Sequence, residues 1–185
     1  MLEELKRDIK DRMSKAVKVT EDELAGIRTG RASPSILQNL KVDYYGATVP
    51  LNQIASITAP EPNMLIVHPW DQNALETIEK AILGSNLGLN PIVEPDKLRI
   101  PIPPLSEERR IELTKLVKKI GEEGKVAIRN LRREANEKIK KAKNDGEISE
   151  DDALRTEKEI QELTDKFVSK IDEVVHRKEE EILND

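Results

Sequence analysis

Positively charged side chains at helical spacing are the residues of this chain best suited to chemistry. Residues 106–145 hold 13 Lys and Arg against 8 Asp and Glu, although the whole chain has a net charge of −5. A turn of 100° per residue places most of these cations within about 60° of one line along a helix. They are Lys118, Lys125, Arg129, Arg132, Arg133, Lys140 and Lys143. We interpret this face as a binding surface for a polyanion.

Three arginines on this face have the geometry that phosphate groups require. Arg129, Arg132 and Arg133 span about one helical turn, and a planar guanidinium donates paired hydrogen bonds to phosphate oxygens. Glu122 is the only acid that we place on the face, so few side chains one turn away neutralise the cations. A face rich in Lys and Arg is also typical of a helix that is simply solvated. The arginine cluster favours binding to neighbouring phosphates of a folded RNA, with a steep salt dependence.

The opposite side of the same segment is apolar and predicts a packed helix. Ser106 is suited to cap its start and Gly146 to end it. A second helical period covers residues 2–28, and a third begins at Ser149, with Asp152 three residues later. The predicted core side of the middle helix consists of Leu113, Val117, Ile120, Gly124, Ile128, Leu131, Ala135 and Ile139.

The first helix needs a partner for its apolar stripe, because an isolated amphipathic helix is marginal in water. The second and third helices, joined by a short turn at Gly146, offer the nearest such surface. We therefore expect a three-helix bundle within one chain, and a monomer. The alternative is that the first helix pairs with a second copy and forms a dimer.

Residues 31–105 differ from the rest of the chain and predict a small α/β domain. Prolines from Pro34 to Pro104 are concentrated here, which is untypical of long helices. Short β-type runs cover residues 40–45, 54–58, 64–68 and 98–102. A helix fits Asp71 to Leu83, with Asp71 as its cap.

Together these patterns predict an α+β protein. Residues 1–29 and 106–185 form a long, coiled-coil-like three-helix bundle that is discontinuous in sequence. Residues 30–105 form the small inserted α/β domain, with a β-α-β arrangement. The chain crosses between the two parts twice, so we predict a double hinge, formed by Thr29, Gly30, Arg31, Pro104 and Leu105.

Other kinds of chemistry have little support. The chain has no cysteine, which excludes disulfides and thiolate chemistry, and it has no phosphate-binding glycine loop. An enzyme that uses His68 with Asp71 or Glu79 is a weak alternative, and a coiled-coil module that recruits a protein is a second one. We expect no catalytic residue, no metal and no cofactor. No apolar run approaches the roughly 20 residues of a membrane span, and Met1 opens no signal peptide, so we expect a cytoplasmic protein.

Six motifs along the whole chain resemble those of the bacterial ribosome recycling factor family. They are Arg28-Thr29-Gly30-Arg31-Ala32-Ser33-Pro34, Tyr44-Tyr45-Gly46, Pro50-Leu51-Asn52-Gln53-Ile54-Ala55, Leu87-Gly88-Leu89-Asn90-Pro91, Pro103-Pro104-Leu105-Ser106-Glu107-Glu108-Arg109-Arg110 and Val126-Ala127-Ile128-Arg129-Asn130-Leu131-Arg132-Arg133-Glu134-Ala135. Ser106 stands where the family often has Thr, and it keeps a capping hydroxyl.

The resemblance implies an L-shaped, noncatalytic protein that binds the post-termination ribosome through its bundle. The partners implied are the large ribosomal subunit with its ribosomal RNA, and elongation factor G, which carries the GTP and acts on the hinged domain so that the subunits separate. The motif arginines of the second helix are implied to contact the RNA. With the other cations of the predicted face, the proposed RNA-binding residues are Arg129, Arg132, Arg133, Asn130, Arg109, Lys125, Lys118 and Lys140.

Overall fold

The computed structural model describes residues 1–184, which form two compact units. One unit consists of Met1–Leu24 and Lys115–Glu179. The other consists of Ala25–Thr114 and the end of the last helix from Glu180 onward. We call the first the helical unit and the second the sheet unit.

Three long helices contribute most of their length to the helical unit. They are α1 (Leu2–Ala25), α4 (Glu107–Asn144) and α5 (Glu150–Asn184). Their apolar stripes meet in one core, in which Ile9, Ile128 and Ile160 are fully buried. The apolar face of α1 is therefore covered within the chain, as expected for a bundle. Ion pairs at its border join α1 to both partners, with Lys6 Nζ 2.6 Å from Glu159 and Arg12 Nη1 2.9 Å from Glu134.

Local hydrogen bonds fix the helix ends that the sequence predicts. The Ser106 hydroxyl accepts from the Arg109 amide at 3.1 Å, and the Ser149 hydroxyl accepts from the Asp152 amide at 3.0 Å. Gly146 ends α4 with φ +76°, a backbone conformation that residues other than glycine adopt only at a cost in free energy. Its amide donates to the Lys143 carbonyl and the next amide to that of Ala142, so the orphaned carbonyls of the last turn are satisfied.

Two glycines in α4 lie where α1 and α5 pack closely against it. A Cβ built at Gly124 would lie 2.3 Å from Oγ1 of Thr20 on α1, and one at Gly121 would lie 2.5 Å from Cγ2 of Val175 on α5. Both distances are much shorter than an ordinary van der Waals contact. Each glycine costs α4 about 1 kcal/mol of helix propensity relative to alanine, so close packing is the physical reason for their positions.

The sheet unit contains a hairpin, a four-stranded sheet and two short helices. The elements are α2 (Ser35–Gln38), β1 (Lys41–Tyr44), β2 (Ala47–Pro50), β3 (Ala55–Glu61), β4 (Met64–Pro69), α3 (Leu75–Leu83), β5 (Ile92–Val93) and β6 (Leu98–Pro101). β1 pairs with β2, and the larger sheet has the order β3-β4-β6-β5 with every neighbour antiparallel. Its core includes Leu65, Val67, Ile78, Leu98 and Ile100, all of them fully buried.

The predicted strands and helices of this region are confirmed, and three elements are additional. β1, β3, β4 and β6 coincide with the four predicted runs to within a few residues. The Asp71 carboxylate accepts from the Asn73 amide at 3.0 Å and caps a 3₁₀ turn, Gln72–Ala74, that leads into α3. The sequence did not indicate α2, β2 or β5, which are only two to four residues long.

Candidate nucleic-acid interface

The arginine cluster of α4 lies on the helical unit, partly against α5. Arg129 and Arg132 are half-buried, whereas Arg133 and the neighbouring Asn130 are exposed. Arg132 Nη1 donates to Oε1 of Gln161, on α5, at 3.3 Å. A neutral amide orients this guanidinium without cancelling its charge, so its remaining donors stay available to an anion.

Four cations of the face are free of carboxylates. Within residues 1–184, Arg129, Arg133, Lys118 and Lys140 have no ion-pair partner, and both lysines are exposed. These charges would gain most from phosphate, because no protein partner must be displaced first. These four positions are open basic side chains along α4, which favours the polyanion interpretation over a face neutralised by its own acids.

Lys125 and Arg109 differ from the other predicted residues because carboxylates pair with them. Lys125 Nζ lies 2.7 Å from Oδ1 of Asp172, on α5, and 3.0 Å from Oε1 of Glu122. The hydrogen bond to Asp172 raises the pKa of Lys125 above its ordinary value. Arg109, in the sheet unit, pairs with Glu112 at 2.9 Å. RNA would have to replace these partners.

Asp172 and Gln161 are two residues of this surface that the sequence did not reveal. Glu122 was expected to be the only acid on the face, but α5 contributes Asp172 as well. A helical wheel shows the acids of one helix only. Asp172 is 47 residues from Lys125 and Gln161 is 29 from Arg132, so no local spacing could have identified them.

The predicted hinge residues form two segments of the sheet unit that are joined by a hydrogen bond. The Arg28 guanidinium donates to the Pro103 carbonyl, 75 residues away. Burial, and then the nearby positive charge of Arg109, lowers the pKa of Arg28. Thr29 is buried, and its hydroxyl accepts from the Arg31 amide at 3.3 Å. Helix α1 ends at Ala25, five residues before Gly30, so Gly30 does not cap it.

Leu105 is buried and Pro104 is exposed in the second of these segments. The hydrogen bond of Arg28 thus joins the two segments, and its acceptor is the residue that precedes Pro104. His68 Nε2 lies 3.7 Å from Oδ2 of Asp96, whereas Asp71 accepts hydrogen bonds from two tyrosines, so His68 has a different carboxylate partner from the one that the enzyme alternative names first. Among residues 1–184 no cluster of three or more His, Asp or Glu has the arrangement of a metal site, and every helix is too short or too polar to serve as a membrane span.

Comparison with known proteins decides the family. The family model described as ribosome recycling factor matches residues 20–183. The chain belongs to the ribosome recycling factor family. The ribosome-recycling factor of Thermus thermophilus is 55% identical over 182 residues, covering 98% of both chains. That of Natranaerobius thermophilus is 52% identical over 176 residues, covering 95% of this chain and 96% of the relative.

Solved structures of the family agree with this assignment. The solution structure of a ribosome recycling factor is 43% identical, has a TM-score of 0.78 and covers 100% of this chain and 98% of its own. A second similar structure is the T. thermophilus ribosome recycling factor, in models that place it and E. coli elongation factor G on the E. coli post-termination complex. It is 55% identical, has a TM-score of 0.69 and covers 99% of each chain. The family resemblance of the six motifs and the predicted fold class are thereby confirmed.

Proposed function

We propose that this protein is a translation factor that binds the post-termination ribosome and, with elongation factor G and GTP, separates the subunits for recycling from mRNA. The observation that carries the proposal is the open basic surface of α4, in a chain of the ribosome recycling factor family. Ribosomal RNA of the large subunit is the polyanion that this surface binds, and the cytoplasm is where it does so.

The cluster of Arg129, Arg132 and Arg133 is the centre of the proposed contact. A helix is a stiff support, and burial of its opposite side in the bundle core holds the backbone positions of the three arginines at fixed spacing. Each phosphate that the surface neutralises contributes a slope of about 0.7 to 0.9 in log K against log salt. Lys118, Lys140 and Asn130 extend the contact, and Lys125 and Arg109 join it by exchanging their carboxylates for phosphates.

The two crossings of the chain are the proposed hinge, and the proposed domains are those that the sequence predicts, 1–29 with 106–185 and 30–105. Pro104 lacks a backbone N–H donor, and Gly30 lacks a side chain that would restrict its backbone angles, so the chain is suited to bend at both crossings. The link between Arg28 and Pro103 lets both segments move together. In this mechanism elongation factor G moves the sheet-bearing domain while the bundle stays bound.

No bond is made or broken by this chain in the proposed mechanism, so it is not an enzyme. Binding energy fixes the helical unit on RNA, and GTP hydrolysis by the partner supplies the free energy for subunit separation. The proteins of this family are translation factors, which supports a role in binding and movement rather than in catalysis.

A subunit-splitting assay with elongation factor G and GTP tests the proposal. Arg132→Ala should weaken binding to large subunits by about tenfold, because a hydrogen bond to a charged group contributes about 1.5 kcal/mol. The salt slope should fall by about 0.7. Helical melting should stay nearly unchanged, since Arg132 has one neutral partner, Gln161.

Lys18→Ala is the matched control, because Lys18 is an exposed cation of α1 with an ordinary pair to Asp22 at 3.6 Å. It should split ribosomes and bind large subunits like the wild type. If Arg132→Ala and Lys18→Ala bind equally well at every salt concentration, the arginine cluster is not the RNA contact. If the wild type leaves ribosomes intact with elongation factor G and GTP, the proposed function is wrong.

A further inference from the structure

The turn between β3 and β4 forms hydrogen bonds with both crossings of the chain. The Pro62 carbonyl accepts from the amide of Ala32 at 2.7 Å, directly after the first predicted hinge segment. The Asn63 carbonyl accepts from the amide of Ile102, also at 2.7 Å, shortly before the second predicted segment. Two neighbouring carbonyls of one turn therefore hold the chain where it reaches the core of the sheet unit and where it leaves that core.

The turn acts through its backbone rather than through its side chains. The side chains of Glu61, Pro62 and Asn63 are exposed, so they contribute little to the core. Ala32 packs against the core of the sheet unit, and Ile102 is buried in it. The same two residues are thus held both by core packing and by the hydrogen bonds to the turn. On the sheet side, the free part of each crossing ends at these residues.

Two prolines restrict the conformations of this turn. Pro60 and Pro62 each have a φ angle fixed near −65° and no backbone N–H, so the carbonyl is the only backbone hydrogen-bonding group of Pro62. β3 lies at the edge of its sheet, where proline is tolerated. Its pairing with β4 shifts register after Thr58 and resumes where Glu61 lies opposite Met64. The turn is therefore stiff, and its position relative to β4 is fixed.

The two crossings lead to different parts of the sheet unit. After the first crossing the chain forms α2 and the hairpin of β1 and β2, which is a two-stranded sheet of its own. The second crossing follows β6, which lies inside the four-stranded sheet. The hydrogen bond from Ala32 to Pro62 attaches the first crossing directly to this larger sheet as well. Both crossings are thereby fixed at one end of the same four-stranded sheet.

We propose that the β3–β4 turn is a positioning element that makes both crossings move with the four-stranded sheet. The inference rests on the proposed function, in which elongation factor G moves the sheet-bearing domain. A displacement of the sheet reaches both crossings at once, because adjacent carbonyls of a stiff turn hold them. Bending is then confined to the residues between this turn and the long helices, 26–31 and 103–106.

Pro62→Gly loosens the turn without removing either carbonyl. Glycine has far more backbone conformations than proline, so the position of the Pro62 carbonyl becomes less fixed. Pro60→Gly is the matched control, because Pro60 is also an exposed proline of the same segment. It adds the same conformational freedom to the unfolded chain, but the carbonyls that bind the crossings are those of residues 62 and 63.

Amide hydrogen exchange, measured by NMR, tests whether the turn holds the crossings. In the wild type the amides of Ala32 and Ile102 should exchange as slowly as the bonded amides of β4, and that of Gly30 at least tenfold faster. Pro62→Gly should speed the exchange of Ala32 about threefold relative to β4, as expected for one added flexible residue. Pro60→Gly should leave this ratio unchanged.

The maximal rate of subunit splitting tests whether the turn transmits movement. This rate is measured with GTP at saturating protein and saturating elongation factor G. Pro62→Gly should lower it severalfold, whereas affinity for ribosomes and the concentration of elongation factor G that gives half-maximal splitting should match the wild type. A turn that only stabilised the fold would leave the maximal rate unchanged below the melting temperature. Pro60→Gly should behave like the wild type in all three measurements.

The outcomes separate this turn from the proposed function. If exchange at Ala32 does not rise in Pro62→Gly, or rises equally in Pro60→Gly, the turn does not hold the crossing and the proposal is overturned. A raised exchange with an unchanged maximal rate also overturns it. So does a variant that changes only ribosome affinity or the requirement for elongation factor G, because the turn is then a contact surface. A wild type that does not split ribosomes refutes the proposed function, and the exchange experiment still decides whether the turn holds both crossings.

Discussion

Substitution of Gly124 by alanine should destabilise the helical unit, although alanine is the better helix former. Alanine in place of glycine stabilises a helix interior by about 1 kcal/mol. Here the new Cβ would lie 2.3 Å from Oγ1 of Thr20, 3.3 Å from its Cβ and 3.0 Å from Cδ1 of Ile171. Thr20 is buried and its hydroxyl donates to the Ala16 carbonyl at 3.1 Å, so it has no room to turn away.

The net cost follows from these two opposing terms. Overpacking of a close contact costs about 1 to 3 kcal/mol, and here it must exceed the propensity gain. We expect Gly124→Ala to lower the free energy of unfolding by about 1 kcal/mol. Thr20→Ala removes the clashing hydroxyl, so Gly124→Ala made together with Thr20→Ala should stabilise by several tenths of a kcal/mol relative to Thr20→Ala alone. Whether Gly124→Ala stabilises or destabilises the helical unit therefore depends on the side chain at position 20.

Urea unfolding of the four proteins, followed by helical circular dichroism, measures this cycle. The long helices dominate that signal, whereas the fluorescence of Trp70 reports on the sheet unit and serves as an internal control. Its transition should not move. If Gly124→Ala stabilises by about 1 kcal/mol while Thr20 is present, as in an isolated helix, the close approach of α1 and α4 is wrong.

Two further predictions concern the sheet unit and the crossings. Tyr45→Phe removes the main cause of the lowered Asp71 pKa, so the carboxyl should titrate at higher pH by NMR. A carboxyl group whose pKa is lowered on folding stabilises the fold above its unfolded pKa, and this stabilisation is lost as the pH falls through the folded pKa. The hairpin tip of the variant should therefore loosen at higher pH than that of the wild type. An unchanged titration midpoint of Asp71 in the variant would contradict the assigned hydrogen bond. Distances between spin labels on the two predicted domains should show a broad distribution that Gly30→Pro narrows, whereas a single sharp distance in both proteins would exclude the hinge.

The long helices were predictable because their signals are local. Ser106 and Ser149 cap amides three residues away, and Gly146 ends α4 through its own φ, so spacing along the chain contains the information. The apolar period then indicates which side of each helix is buried. That the first helix closes on the other two was predicted from the need to cover its stripe, and its core residues confirm this.

The remaining features depend on residues that are distant in sequence. The sequence of β2 shows little alternation of apolar and polar residues and ends in Pro50. It forms a strand because each of its residues pairs with one of β1. The ion pair of Lys125 with Asp172 and the bonds of both tyrosines to Asp71 form only after separate segments meet. The local sequence predicts a turn near Tyr45. It does not predict that the ring of Tyr45 is held outside the core.

The order of helices in the helical unit has a consequence for synthesis of the chain. Helix α1 is translated before the sheet, and the two helices that cover its apolar stripe are translated after it. Closing a loop of this length costs chain entropy, and this cost is offset only when the core of the helical unit has formed. A chain that is cut short before α4 would therefore lack both helices that cover the apolar stripe of α1. The bundle core is therefore complete only after α5 has been translated, and shorter nascent chains would leave part of the stripe open to proteases.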